Sequence, residues 1–309
     1  MRNIIVLTIS TILVGSLAYT ITTWIDVRDR YCPHYLDSTK PSSTIDKESA
    51  TLSFADSKAM HVDRHFIQTR DGIRLEVQSV HAESVPSVAD IVLIHGYQSC
   101  KEDMLGSASW LVQRGFNVWI PDLRAHGGSE GTNTTFGILE HEDLVSLIDT
   151  IESASGTRPL VLWGNSMGGA TAIMTAAIDS RVTVCISESA FSTRHSLLLH
   201  FIETEYPEDS WLEHQLGTLA VMYETGVSLF ADDPMDLIAR VKCPTLLMHG
   251  TNDQRVPFSA AQNLIGAAGS SVRLVPIDSG THHNLRATNS ARYDSAVKAT
   301  IEPVLKRVP

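Results

Sequence analysis

The chain has 309 residues, with 24 Lys and Arg against 35 Asp and Glu, for a net charge of −11. That balance argues against a nucleic-acid partner, because neutralising phosphates needs a surplus of cations. The hydrophobic fraction of 43% suffices for a globular core, and the four cysteines (Cys32, Cys100, Cys185 and Cys243) have neither disulfide-framework nor metal-ligand spacing.

The first element is an uncharged, largely apolar run from Asn3 to Ile25, preceded by Arg2 and closed by Trp24 and Asp26. About twenty such residues span a bilayer as a helix, and tryptophan suits the lipid interface. Residues 1–26 are therefore expected to be a single-pass membrane anchor. The alternative is a cleaved signal segment, with small residues at Ser16-Leu17-Ala18, giving a secreted or periplasmic protein. Residues 27–60 read as a polar stalk. Orientation is weakly encoded, because Arg28 and Arg30 compete with Arg2. The rest of the chain, residues 61–309, has the size of one catalytic domain, about 250 residues.

The domain alternates strands and helices. His65 to Thr69 and Ile73 to Val80 flank Asp71-Gly72, a hairpin signal. Asp90 to Ile94 (DIVLI) is a buried-strand pattern that runs into His95-Gly96-Tyr97. Glu102 to Arg114 is helical, with Gly115 as its stop, and Phe116 to Ile120 is the next strand. Glu140 to Ser153 carries Leu144, Leu147, Ile148 and Ile151 at helical spacing. Pro159 to Trp163 is a strand and Met167 to Ile178 a helix of small and apolar residues. Strands at Val182 to Ile186, Pro244 to Met248 and Val272 to Ile277 come next. Helices are expected near Ser259 to Ala268 and from Ala291 to about Leu305. Such alternation demands a mostly parallel sheet with helices on both faces, and its site belongs at strand C-terminal ends.

The chemistry is concentrated at Gly164-Asn165-Ser166-Met167-Gly168, a G-x-S-x-G motif between a strand and a helix. A serine at that junction takes a strained backbone, which its neighbours permit only by lacking bulk, and the turn lifts its hydroxyl above the sheet. In hydrolases with such an elbow one oxyanion amide comes from the residue after the serine, the other from the loop after an earlier strand. Here those are the backbone N–H groups of Met167 and Tyr97. Asp253 lies just past the strand at Pro244. His282 and His283 lie past the strand at Val272. The order serine, aspartate, histidine differs from the chymotrypsin and subtilisin orders.

With these residues assembled, the chain resembles the α/β-hydrolases, and within them the membrane-associated ABHD-type and serine aminopeptidase-like hydrolases. The likeness runs from about His65 to the C-terminus. It rests on Gly164 to Gly169 (GNSMGG), Asp122 to Ser129 (DLRAHGGS), the Gly137-x-x-Glu140-x-x-Asp143 pattern and His249 to Pro257 (HGTNDQRVP). The resemblance implies Ser166 as nucleophile and Asp253 as triad acid. It implies as base the histidine of a G-x-H turn, His282 in Gly280-Thr281-His282, with His283 available to a one-residue change of register. It makes Asp122, Arg124 and His126 mainly a structural turn network. His61, His65 and His141 carry no metal-ligand pattern, and no cofactor or metal is expected.

One segment breaks the alternation. Between about Glu188 and Pro244 the chain spends more than about fifty residues, far beyond a usual connection. A helical cap is expected over about 192–235. Its apolar residues, among them Leu198, Trp211, Leu212, Leu219, Tyr223 and Phe230, either pack amphipathically against the core or supply an underside suited to acyl groups. Its acidic face (Glu203, Glu205, Glu208) would disfavour strongly anionic substrates if it reached the cleft. Together these features imply a serine hydrolase of carboxylic, lipid-like esters. The alternatives are a thioesterase, an aminopeptidase, or an inactive membrane-tethered binding protein. The sequence carries no sign of oligomeric state.

Overall fold

The computed structural model describes Thr22 and residues 24–26, 60–82, 87–230 and 232–306. Eight strands form one sheet: β1 (Met60–Gln68), β2 (Arg74–Ala82), β3 (Ala89–Ile94), β4 (Phe116–Pro121), β5 (Leu160–Asn165), β6 (Val182–Glu188), β7 (Thr245–Gly250) and β8 (Val272–Ile277). Their spatial order is β1-β2-β4-β3-β5-β6-β7-β8. Only β2 runs against its neighbours; every pairing from β4 to β8 is parallel. The hairpin signal at Asp71-Gly72 joins β1 to β2, with Gly72 at φ +86° where a side chain would be strained.

Period-two alternation splits each inner strand between two apolar layers. Val92, Ile94, Leu160 and Leu162 face one layer, while Ile91, Leu93, Val161 and Trp163 face the other. The first layer is closed by α2 (Glu140–Ser155), α3 (Met167–Ile178) and α7 (Ser259–Ala267), through Leu144, Ile148, Ile173 and Leu264. The second is closed by α1 (Leu105–Val112) and α8 (Ser290–Leu305), through Leu111, Val112, Val297 and Ile301. Each such side chain taken from water contributes about 1.5–3 kcal/mol. The parallel central strands are buried on both faces, which is why they read as unbroken apolar runs.

The segment expected as a cap is helical but interrupted. It is two helices, α4 (Arg194–Glu205) and α5 (Trp211–Thr225), followed by the single turn α6 (Pro234–Leu237). Pro207 falls in the break, and Ser210 starts α5 with a capping box to Glu213. Leu198, Ile202, Ala220 and Val221 are buried below it. Trp211, Leu212, Leu219, Tyr223 and Phe230 are not: they are exposed, Tyr223 by 75%. The apolar underside is therefore narrower than expected, and a second apolar face looks outward. There the Trp24 ring meets Tyr223 edge-on, with centroids 5.9 Å apart.

Apart from Thr22 and residues 24–26, the expected anchor over 1–26 lies outside the described residues, as do residues 27–59 of the expected stalk and Cys32. Among the described residues no helix is long and apolar enough to cross a membrane. Cys100, Cys185 and Cys243 are free thiols, Cys185 in the core as expected.

Candidate active site

Ser166 sits between β5 and α3 with φ 54° and ψ −118°, a conformation that L-residues rarely adopt. Two backbone hydrogen bonds hold it there. Its N–H donates to the Glu188 carbonyl at 2.7 Å, and its carbonyl begins α3 by accepting from Ala170 at 3.0 Å. A Cβ on Gly164 would collide with the Gly168 carbonyl, and one on Gly168 would collide with the Ile94 carbonyl. Both glycines are thus required by close backbone approach. Glu188 is itself fixed from below, its Oε1 accepting from Trp163 Nε1 and, at 2.6 Å, from the Tyr293 hydroxyl.

His282 Nε2 lies 3.0 Å from Ser166 Oγ, and its Nδ1 lies 2.7 Å from Asp253 Oδ2. A carboxylate only accepts, so Nδ1 carries the proton and Nε2 is left to accept from the serine. Asp253 Oδ1 takes the backbone N–H groups of Arg255 and Val256, each at 2.9 Å. Burial would raise the Asp253 carboxyl, but hydrogen bonds from His249 and His282 outweigh it and hold the group well below the usual carboxylate range. His249 makes its shorter contact elsewhere, donating from Nε2 to the Val256 carbonyl at 2.8 Å, with Asp253 at 3.4 Å. Asp253 and His282 are buried, while Ser166 remains partly accessible.

The loop after β3 runs against the elbow. A Cβ on Gly96 would stand 3.2 Å from Ser166 Cβ, so Tyr97 enters beside the serine, and Met167 follows it as the first residue of α3. The Tyr97 ring packs against Phe136, centroids 5.0 Å apart. His95 is fully buried: Nδ1 donates to the Gly96 carbonyl at 2.7 Å and Nε2 accepts from Leu123 N at 3.0 Å. His126 donates from Nδ1 to the Arg124 carbonyl and accepts from Gln98 N. Both imidazoles are spent on backbone, in agreement with a structural role. Arg124 grips Asp143 through two bonds of 2.6 and 2.7 Å, and Glu140 takes the hydroxyls of Thr134 and Thr135 with the amides of Thr135 and Gly137.

His283 does not reach the serine. Its ring stands nearly perpendicular to that of His282, centroids 4.6 Å apart, and its Nε2 accepts from Arg255 Nη1 at 3.1 Å.

The chain matches the Alpha/beta hydrolase family over residues 91–293, a span that contains Ser166, Asp253 and His282. The protein belongs to that family. As an alpha/beta hydrolase it is 23% identical to YqkD of Bacillus subtilis over 230 residues, covering 74% of this chain and 75% of YqkD. It is 28% identical over 162 residues to lysophosphatidylserine lipase ABHD12 of Macaca fascicularis, covering 50% of this chain and 38% of that one. Among solved structures, the esterase Pf2001 of Pyrococcus furiosus shares the fold, with a TM-score of 0.67 at 19% identity. That match covers 86% of this chain and 99% of the esterase.

Two supports of this hydrolase site carry no signal in the sequence. Lys101 is a buried lysine whose Nζ lies 2.6 Å from Asp122 and 3.1 Å from Glu76, and a lysine heading a short helix ordinarily reads as solvated. Glu188 closes an apolar strand, with nothing nearby in the chain to show that its side-chain partners are Trp163 and Tyr293.

Proposed function

We propose that this alpha/beta hydrolase is a serine hydrolase that cleaves carboxylic esters through Ser166, His282 and Asp253. The observation that carries the proposal is the unbroken hydrogen-bond line from Ser166 Oγ through both His282 nitrogens to Asp253. Asp253 keeps the ring in the tautomer that can accept the serine proton and stabilises the imidazolium that forms. Ser166 Oγ attacks the ester carbonyl, and the amides of Tyr97 and Met167 take the developing oxyanion, each contributing about 3 kcal/mol in the transition state. The imidazolium then gives its proton to the departing alcohol oxygen, leaving an acyl-serine. Water, deprotonated by His282, attacks that acyl group and releases the acid, and the proton returns to Ser166.

An acyl chain is the favoured acid part. Tyr97, beside the serine, packs against the apolar cluster that contains Met167, Phe136 and Leu198, and apolar surroundings suit hydrocarbon. The name of the ABHD12 relative, a lysophosphatidylserine lipase, points the same way. We also propose that the protein works at a membrane surface. The apolar run from Asn3 to Ile25 supports this, as do the exposed Trp211, Leu219 and Phe230 and the exposed Tyr223, which meets Trp24.

The test is labelling by a fluorophosphonate, followed by hydrolysis of p-nitrophenyl esters of graded length beside aminoacyl-naphthylamides. Labelling of the wild type and not of Ser166→Ala, with turnover confined to the esters, is the expected result. Turnover of the naphthylamides alone would replace the esterase with an aminopeptidase.

A further inference from the structure

The rim of the site carries a cation that the rest of this acidic chain would ordinarily neutralise. Arg64, Arg124, Arg158, Arg181 and Arg286 each face a carboxylate. Arg255 faces a histidine: its Nη1 donates to His283 Nε2 at 3.1 Å, and among the described residues no carboxylate pairs with its guanidinium. The acids of the cap, Glu203, Glu205 and Glu208, do not engage it. Arg255 and His283 are both exposed.

Their positions are fixed by the catalytic turns themselves. Arg255 N is bonded to Asp253 Oδ1, and His283 follows His282 in a turn closed by Thr281 N on Asn284 Oδ1 at 2.6 Å. An arginine has no acceptor, so His283 accepts at Nε2 and is neutral, with its remaining proton on Nδ1. Arg255 thus presents its remaining guanidinium donors, and His283 an Nδ1–H, at one edge of the site.

That edge has a defined chemical sense. The base that takes the serine proton must later give it to the leaving oxygen, so the alcohol part of an ester lies on the His282 side and the acyl part on the other. His283, stacked edge-on against His282, borders the alcohol. A cation beside His282 also opposes formation of the imidazolium during attack. With a neutral ester only Asp253 offsets that opposition. An anionic substituent on the alcohol would bind the guanidinium in charge-assisted hydrogen bonds and cancel it.

We propose that Arg255 and His283 form an anion subsite on the leaving-group side, which makes the enzyme prefer esters whose alcohol carries a compact anion, phosphate or carboxylate. The proposal rests on the esterase reading.

The test compares three butanoyl esters with one acyl group: 1-butanoylglycerol, 1-butanoylglycerol 3-phosphate and 3-(butanoyloxy)propanoate. The expected result is a higher kcat/KM for at least one anionic ester. Arg255→Ala should lower the anionic-to-neutral ratio about tenfold, as loss of a hydrogen bond to a charged group does, and Arg255→Lys should restore part of it. His283→Ala should lower the ratio less. Preference for the phosphate ester alone assigns the subsite to phosphate, and preference for both assigns it to either anion.

A second arm does not need turnover. Glycerol 3-phosphate and 3-hydroxypropanoate are titrated into Ser166→Ala by calorimetry, with and without Arg255→Ala, and binding should weaken about tenfold when the arginine is lost. If no ester is cleaved but this dependence is found, the esterase reading falls and the subsite stands. Equal ratios in the wild type and Arg255→Ala, or binding of both anionic alcohols indifferent to Arg255, would overturn the subsite.

Discussion

Lys101 Nζ and Asp122 Oδ2 meet at 2.6 Å beneath the loop that carries Tyr97, with the Lys101 backbone N–H on the other oxygen of the same carboxylate at 2.7 Å. One aspartate therefore holds both ends of one lysine, and with it the segment entering α1. Gly128 N adds a third bond to Asp122.

Removing the lysine should be costly. Lys101→Met would leave Asp122 buried with its charge uncompensated, a loss of about 3–5 kcal/mol, and would free the loop that presents the Tyr97 amide. Urea unfolding should show that loss, and kcat should fall with little change in KM. The double variant Lys101→Met/Asp122→Asn should be less destabilised than Lys101→Met alone. If the double variant were worse, the pair would not be the source of the effect.

Ser166→Ala should abolish ester hydrolysis and leave stability unchanged or higher. The change removes one accessible hydroxyl while Gly164, Gly168 and the bond to Glu188 remain, and strained functional residues are commonly retained at a cost in stability. Thermal unfolding beside steady-state kinetics checks both halves. Turnover above a few per cent of wild type, with contamination excluded, would remove the serine from the mechanism.

The two adjacent histidines should separate cleanly. His282→Ala should eliminate activity, since it breaks the line between Ser166 and Asp253. His283→Ala should retain a measurable fraction on a neutral ester, because its ring contacts Arg255 rather than the serine. Parallel assays decide between them, and the reverse pattern would transfer the base to His283.

His95 should set an acid limit on stability. Burial, with His126 next to it, pushes its imidazole down to about 3, against an unfolded value near 6.5. Below pH ~6.5 the unfolded chain binds a proton that the folded one refuses, so the stability this residue contributes is present at neutral pH. It should be lost as pH falls toward 3, at about 1.4 kcal/mol per pH unit. His95→Asn should be less stable at pH 7.5 but show a shallower decline with acid. Denaturation midpoints measured from pH 7.5 to 4 test this, and parallel profiles for the two proteins would exclude His95 as the source.

Much of this architecture was legible because its signals are local. The strand Val272 to Ile277 and the helix Met167 to Ile178 stand where the pattern predicts them, since buried parallel strands are short unbroken apolar runs and a helix pressed on a sheet needs small residues. The elbow was legible for the same reason: the geometry at Ser166 depends on glycines within two positions of it. Ser166, Asp253 and His282, each at a strand end, could be placed together because a parallel sheet puts all its C-terminal strand ends along one edge.

The questions left open by the sequence needed contacts between distant positions. Two neighbouring histidines are indistinguishable as residue types, and only the turn from Gly280 to Asn284 decides that His282 points at Asp253 and His283 at Arg255. Nothing in the neighbours of Lys101 and Glu188 signals their burial, because burial is a property of what packs above a residue. The cap likewise offered a set of apolar residues, and only the packing of α4 and α5 divided it into side chains that close the core and side chains that face outward. Hydrophobic periodicity and backbone constraint are written along the chain. The partners of a buried charge, and the direction of a loop side chain, are chosen by tertiary contacts that sequence spacing does not encode.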